Sequence, residues 1–200
     1  GHTKDVYTAI IVNGGKTLIT GSEDKSIKQW NIATGECLKT LTDKPAFEDV
    51  FTLATSPNKK RFAMVCDGGY TGVFDSATLE EIWKTKLGEE GEVVAWSPDG
   101  SLIASTSEDG NLYLFHPETG EISKKIKTVK KPHTPITFTN DSKFIISGGD
   151  SVLHVHSVET GDRLEPEMGF SDDGIYEHLA VGLAGSRVYV SKGSSWQVLD

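Results

Sequence analysis

The 200-residue sequence contains few cysteines and no long apolar segment. Its two cysteines, Cys37 and Cys66, are too few for a disulfide framework and are typical of a reducing compartment. This predicts a cytoplasmic protein, with a nuclear population also compatible. Apolar runs such as Ala9–Val12 are far shorter than the ~20 residues that cross a bilayer, so we expect no membrane partner.

Positive charge is also scarce, since Lys and Arg number 20 against 29 Asp and Glu, for a net charge of −9. A protein surface that binds duplex nucleic acid needs clustered cations opposite the phosphates, so this balance argues against such a function. The exception is the basic run at residues 124–131, with Lys124, Lys125, Lys127, Lys130 and Lys131. It leaves open an RNA-processing or nucleic-acid-associated subunit, although lysines are also common on edge strands. Otherwise nucleic acid would be met only indirectly, through a complex.

Helical periodicity is weak throughout the chain. The segment Ala77–Leu87 is the nearest candidate, but its counterparts at Ala33–Leu41 and Glu118–Ile126 lack that period, so we expect a turn and an outer strand there. Elsewhere short runs of Val, Ile, Leu, Phe and Tyr alternate with glycines, of which the chain has 21. Short strands at regular spacing with turn signals between them predict an all-β fold.

The sequence is rich in internal repetition. One phrase occurs four times, as Trp30–Glu36, Phe74–Glu80, Phe115–Glu121 and His156–Asp162. The threonines inside it, at positions 34, 78, 119 and 160, are 44, 41 and 41 residues apart. Turn sequences recur in the same phase, for example Ser56–Lys59 and Ser97–Gly100. A period of ~40–45 residues with several strands per unit is typical of a β-propeller.

The best-preserved units resemble the WD40-repeat family. The first unit carries Gly1-His2 and Gly21–Asn31, and the third carries Val94–Gly100 and Ser107–Phe115. The resemblance implies an all-β, WD40-type β-propeller region over residues 1–200 with about five four-stranded blades. Their expected bounds are 1–43, 44–87, 88–128, 129–166 and 167–200. Because a ring of this family usually needs about seven blades, we expect the chain to be part of a seven- or eight-bladed ring.

Within the family, the segment Asp49–Pro57 is similar to the WD-repeat scaffold subunits of the superkiller complex, a cytoplasmic mRNA-decay assembly. That similarity implies a top face that binds peptides containing arginine. It is consistent with a subunit that holds other proteins together.

The resemblance also implies a bracing network inside a blade, made of His, Ser or Thr, Asp and Trp. The matching residues of the first unit are His2, Thr20, Asp24 and Trp30. The third unit retains Ser105 and Asp109, but Phe115 replaces the Trp and Leu87 replaces the His. A buried carboxylate needs donors and a buried indole N–H needs an acceptor, so we expect the other blades to depend more on packing.

Partners of this family dock mostly on the face that carries the loop into the first strand of each blade. Counting from the His and Asp positions places these residues there: Asp5, Tyr7, Glu23, Asp49, Phe51, Asp67, Glu90, Glu92, Glu108, Asp150 and Tyr176. Converging carboxylates would attract a cationic peptide, and the aromatic rings would contact an Arg or an apolar anchor. The alternative is that the carboxylates only keep the protein soluble.

These features predict a non-catalytic protein-interaction scaffold within a multiprotein complex, whose partners contribute basic or Arg-containing segments. His154 and His156 share one face of a strand, but no third ligand is apparent and a closed zinc site needs four. No catalytic residue, metal or cofactor is therefore predicted. A propeller-fold enzyme remains the less favoured alternative, since it would need convergent titratable groups in a central pocket.

Overall fold

The computed structural model describes residues 1–42, 48–88, 90–128, 135–149, 152–169, 178–181, 188–192 and 195–199. Strands in these ranges form five antiparallel sheets, which we call blades one to five in chain order. Within the same ranges the only helical segment is the single 3-10 turn Asn13–Gly15. The prediction of an all-β fold with almost no helix is confirmed for the residues that the structure describes.

Blades one to three each contain four consecutive strands, hydrogen-bonded in sequence order. Blade one contains β1 (Val6–Val12), β2 (Thr17–Ser22), β3 (Ile27–Asn31) and β4 (Cys37–Leu41). Blade two contains β5 (Val50–Thr55), β6 (Arg61–Cys66), β7 (Tyr70–Asp75) and β8 (Glu81–Lys86). Blade three contains β9 (Gly91–Trp96), β10 (Ile103–Ser107), β11 (Asn111–Phe115) and β12 (Ile122–Lys127).

Blade four repeats the pattern, and blade five has three strands in its described residues. Blade four contains β13 (Ile136–Phe138), β14 (Phe144–Gly149), β15 (Val152–Ser157) and β16 (Arg163–Gly169). Blade five contains β17 (His178–Val181), β18 (Val188–Lys192) and β19 (Ser195–Leu199). Because β16 continues to Gly169, blade four extends past residue 166, where the sequence placed its boundary.

The first strands of the blades, β1, β5, β9, β13 and β17, lie beside one another in chain order. Apolar side chains fill the spaces between successive blades. One cluster, which includes Val50 and Met64, joins blades one and two; a second, around Trp83 and Phe115, joins blades two and three; a third joins blades three and four. Four-stranded antiparallel sheets packed in this way are consistent with the blades of a WD40-type propeller.

The repeated phrase forms the turn between the third and fourth strands of a blade. In blade two, Asp75 begins the turn by accepting hydrogen bonds from the backbone N–H groups of Ala77 and Thr78 at 2.8 Å, which favours a turn over a helix. The turn then needs a residue with positive φ, which is Gly in units one, three and four but Leu79 (φ 59°) in unit two. The expected outer strand follows as β8.

Candidate functional site

In blade one, four side chains form one chain of hydrogen bonds. They come from the N-terminal segment, from β2, from the turn after β2, and from β3. The imidazole of His2 lies 2.8 Å from the Asp24 carboxylate through Nδ1 and 2.6 Å from the Thr20 hydroxyl through Nε2. The indole N–H of Trp30 donates to the same Thr20 hydroxyl at 2.8 Å. The structure therefore brings together all four residues that the family resemblance pointed to, and it ties the segment before β1 to β2 and β3.

The Asp24 carboxylate is the most heavily bonded group of this network. It accepts hydrogen bonds from the backbone N–H groups of Thr3 and Ser26, at 3.0 and 3.1 Å, and from the Ser26 hydroxyl. Burial by itself disfavours the charged form, but the hydrogen bonds from Ser26, Thr3 and His2 outweigh burial and lower the pKa of Asp24 to about 2. Asp24 is therefore held as a carboxylate with its donors in place.

Blade three uses the corresponding residues differently. The hydroxyl of Ser105 lies 2.8 Å from the hydroxyl of Thr71 in blade two, so it joins two blades instead of bracing one. Asp109 instead accepts a hydrogen bond from the Tyr113 hydroxyl at 2.6 Å and lies 3.5 Å from the Lys125 ammonium. Ser105 and Asp109 do not form the chain seen in blade one, because Leu87 and Phe115 offer neither the imidazole nor the indole N–H that would link them.

The predicted docking carboxylates lie at equivalent places in three blades. In each blade one acidic residue precedes the first strand and another follows the second strand, and a backbone hydrogen bond joins them. The N–H of Glu23 donates to the carbonyl of Asp5 at 3.0 Å. The same bond runs from Asp67 to Asp49 at 3.0 Å and from Glu108 to Glu90 at 3.3 Å. We call the set of Asp5, Glu23, Asp49, Asp67, Glu90 and Glu108 the acidic surface.

Mutual repulsion shows that these carboxylates are close enough to act together. A hydrogen bond with Glu108, partial burial, and repulsion from Glu108 and Asp67 raise the pKa of Glu90 to about 6. The pKa of Asp49 is raised by burial and then by the charges of Glu23 and Asp67. Charge interactions therefore link the carboxylates of blade one to those of blade two, and those of blade two to those of blade three.

Two cations and two aromatic rings complete this face. The Lys4 ammonium bonds Glu23 at 2.9 Å, and Lys25 forms an ion pair with Glu48, so part of the negative charge is compensated locally. Tyr7 and Phe51 pack at 5.6 Å between ring centroids, and Tyr7 is 47% exposed. The rings therefore form an accessible aromatic platform beside the carboxylates.

One predicted docking residue is misplaced by the sequence count. Glu92 is 4% exposed, because β9 lies between β5 and β13. The equivalent residue of blade one is Tyr7 on β1. Among the described residues, β1 has a neighbouring blade on one side only. Its carbonyl accepts a hydrogen bond from the Thr52 hydroxyl of blade two. Glu92 is thus a buried residue between blades, and its assignment to the docking surface is wrong. Asp150 and Tyr176 lie outside the described residues.

The basic run is partly used within the fold. Lys124 donates to the carbonyl of Glu159, and Lys125 lies 5.1 Å from the centre of the Tyr113 ring as well as beside Asp109. Lys127 is exposed at the end of β12, while Lys130 and Lys131 lie outside the described residues. The described lysines therefore do not form an open cationic stripe.

The described ranges contain neither a metal-binding cluster nor a membrane-spanning helix. Among those residues, no group of three or more His, Cys, Asp or Glu side chains is arranged to hold a metal ion. Nor does any helix there have the length and apolarity to cross a membrane.

Comparison with protein families gives two matches. The family described as "WD domain, G-beta repeat" matches residues 1–31, which include the bracing network of blade one. The family described as "Anaphase-promoting complex subunit 4 WD40 domain" matches residues 77–141, which cover blade three and its borders. Together with the four-stranded sheets, these matches support a WD40-type fold, with sequence similarity to WD40 repeats in both matched segments.

Curated relatives agree with this class. Protein ANTHESIS POMOTING FACTOR 1 of Arabidopsis thaliana is 28% identical over 169 residues, which are 80% of this chain and 49% of that protein. Eukaryotic translation initiation factor 3 subunit I of Emericella nidulans is 28% identical over 144 residues, 66% of this chain and 43% of that protein. The same subunit of Vanderwaltozyma polyspora is 27% identical over 187 residues, 82% of this chain and 52% of that protein.

The chain thus spans about half the length of the curated relatives it matches. None of these three is a superkiller subunit, so the similarity of Asp49–Pro57 to that subunit has no support here.

Proposed function

We propose that this WD40-repeat protein is a protein-interaction scaffold of a multiprotein complex that docks a basic peptide segment of a partner on the acidic surface. The observation that carries the proposal is the recurrence of one arrangement in three successive blades. In each, two carboxylates are joined by the same backbone hydrogen bond, and neighbouring blades place these pairs within electrostatic reach of one another.

The electrostatics favour a cationic partner. Because Glu108 and Asp67 raise the pKa of Glu90, these negative charges repel one another in the free protein, and a bound Arg or Lys relieves that repulsion. Opposite charge on the partner also accelerates association, with a dependence on salt. The exposed ring of Tyr7, packed on Phe51, offers an apolar or cation–π contact beside the charges.

The names of two matched groups agree with a role in assemblies, since one is an initiation factor subunit and the other is a subunit of the anaphase-promoting complex. A non-catalytic role in the cytoplasm, with or without a nuclear population, completes the proposal. Imaging of the tagged protein in cells would test the localisation.

The test is peptide binding by fluorescence anisotropy, with a panel of labelled peptides that carry Arg or Lys beside an apolar residue. In Glu90→Gln with Glu108→Gln we expect the affinity for the best peptide to fall by ~10-fold, mainly through slower association. Glu121→Gln with Glu159→Gln is the matched control, because both carboxylates are exposed in turns between the third and fourth strands and the charge change is equal.

The control should bind like the wild type, and added salt should weaken wild-type binding. Equal affinity of both double variants would mean that net charge alone, and not the acidic surface, attracts the peptide. Failure of the whole panel to bind would refute the proposed docking mode.

A further inference from the structure

The boundaries between blades differ in what fills them. Between blades two and three, Trp83 of β8 stacks on Phe115 of β11 with ring centroids 5.5 Å apart, and both rings are buried. Between blades three and four, the strand register places Lys124 where Trp83 stands and His156 where Phe115 stands. An aromatic stack is thus replaced by groups that carry or can acquire positive charge.

At this boundary lies a cavity of about 300 Å³, lined by Lys127, Thr128, His154, His156 and Arg163. Lys127 and Thr128 come from the end of β12, the two histidines from β15 and Arg163 from the start of β16. Among the residues that the structure describes, this lining contains no carboxylate. Two permanent cations and two imidazoles therefore surround one small space.

His156 is the buried group in this cavity that most needs a ligand. It is 2% exposed, and among the described residues neither of its ring nitrogens has a hydrogen-bond partner. The backbone of Gly161 acts to raise the pKa of His156, but no hydrogen bond joins it to the ring. A polar group buried without a partner is unfavourable, so the ring gains from a ligand that can bond it.

The neighbouring groups are arranged as donors. The Arg163 guanidinium, which can only donate, lies 3.3 Å from Nδ1 of His154. That nitrogen is therefore the acceptor, and the proton of neutral His154 is on Nε2. Lys127 and Thr128 of blade three also line the cavity, and the Thr128 hydroxyl donates to the carbonyl of Gly110 at 3.3 Å.

We propose that the cavity between blades three and four binds a phosphate group, held by Arg163, Lys127 and the two histidines. Its oxygens can accept hydrogen bonds from the Arg163 guanidinium, the Lys127 ammonium and the protonated His156 ring, and its charge is opposite to that of the two cations. The site shares no residue with the acidic surface, so it stands whether or not the proposed docking function holds.

Protonation of His156 strengthens the site. In the ligand-free protein, burial and the nearby charges of His154 and Arg163 lower the pKa of His156. A bound anion favours the imidazolium, so binding takes up a proton and affinity increases as the pH falls. Sulfate tests this point, because it keeps the same charge over the range in which histidine titrates.

The experiment is an NMR titration of the protein with inorganic phosphate alone and, in parallel, with O-phosphoserine. We expect saturable shifts confined to the lining residues. Both His156→Phe and Arg163→Gln should weaken binding by ~10-fold or more. His156→Phe installs the ring that blades two and three carry as Phe74 and Phe115, so it should remain folded, and Arg163 is exposed. Lys143→Gln, an exposed cation of blade four outside the cavity, is the matched control and should bind like the wild type.

Equal affinities for the two ligands would indicate a site for the bare phosphate group, and tighter binding of phosphoserine would indicate a phosphorylated side chain. Sulfate should bind more tightly at pH 6 than at pH 8 in the wild type but not in His156→Phe. Absence of phosphate binding at millimolar concentration, or binding unchanged in both variants, would overturn the proposal.

Discussion

Blades one and three share one strand topology but are stabilised by different means. Blade one is closed by His2, Thr20, Asp24 and Trp30, a set of polar side chains bonded within the blade. Blade three relies on apolar contact across its boundary, where Phe115 stacks on Trp83, and on a hydroxyl pair between Ser105 and Thr71. The comparison shows that this fold tolerates loss of the polar network when large rings fill the space between blades.

Removing the ring that stabilises blade three should have the largest effect. Phe115 is fully buried, so Phe115→Ala loses its apolar contacts and leaves a cavity beside Trp83. We expect a loss of ~3–5 kcal/mol in the free energy of unfolding, measured by denaturant titration. Ile122, the register partner of Phe115, is 47% exposed, and Ile122→Ala should change stability by less than ~0.5 kcal/mol. Equal losses in the two variants would show that the stack does not stabilise blade three.

Removing the carboxylate that closes blade one should have the second largest effect. Asp24→Ala leaves His2, Ser26 and the Thr3 N–H without their acceptor, which should cost ~1–3 kcal/mol. Asp109→Ala is the matched variant of blade three and should cost less, because the Asp109 side chain is 35% exposed and that of Asp24 only 7%. Thermal denaturation of both variants measures the difference. A larger loss in Asp109→Ala would reverse the comparison.

The smallest effect concerns acid pH. Because the fold lowers the pKa of Asp24 from 3.8 to about 2, its carboxylate stabilises the protein above pH ~4, and this stabilisation is lost as the pH falls toward 2. Asp24→Asn has no carboxylate to protonate, so its melting temperature should depend less steeply on pH across this window. Parallel melting curves for the wild type and Asp24→Asn between pH 5 and 2 would contradict the low pKa of Asp24.

Repeats, turns and strand order were accessible from the sequence because they depend on local chemistry. Asx turns, residues with positive φ and alternating apolar positions act within a few residues, so each unit of about forty residues predicted its own four strands. The bracing set of blade one could be found because the first unit matches the residues that the resemblance to WD40 repeats implies. The docking positions were counted in the same way, and their carboxylates do lie in equivalent places in three blades.

What the sequence could not decide depends on the neighbouring blade. Glu92 occupies the repeat position of Tyr7 but is buried, since it has neighbours on both sides. Ser105 bonds Thr71 because that hydroxyl, from blade two, faces it. His154 and His156 were visible as a pair on one strand, but Arg163 and the Lys127 of blade three complete the cavity only when the blades pack. Local spacing thus determined the blades, and packing between blades determined which polar groups meet, because such contacts join residues that no repeat period relates.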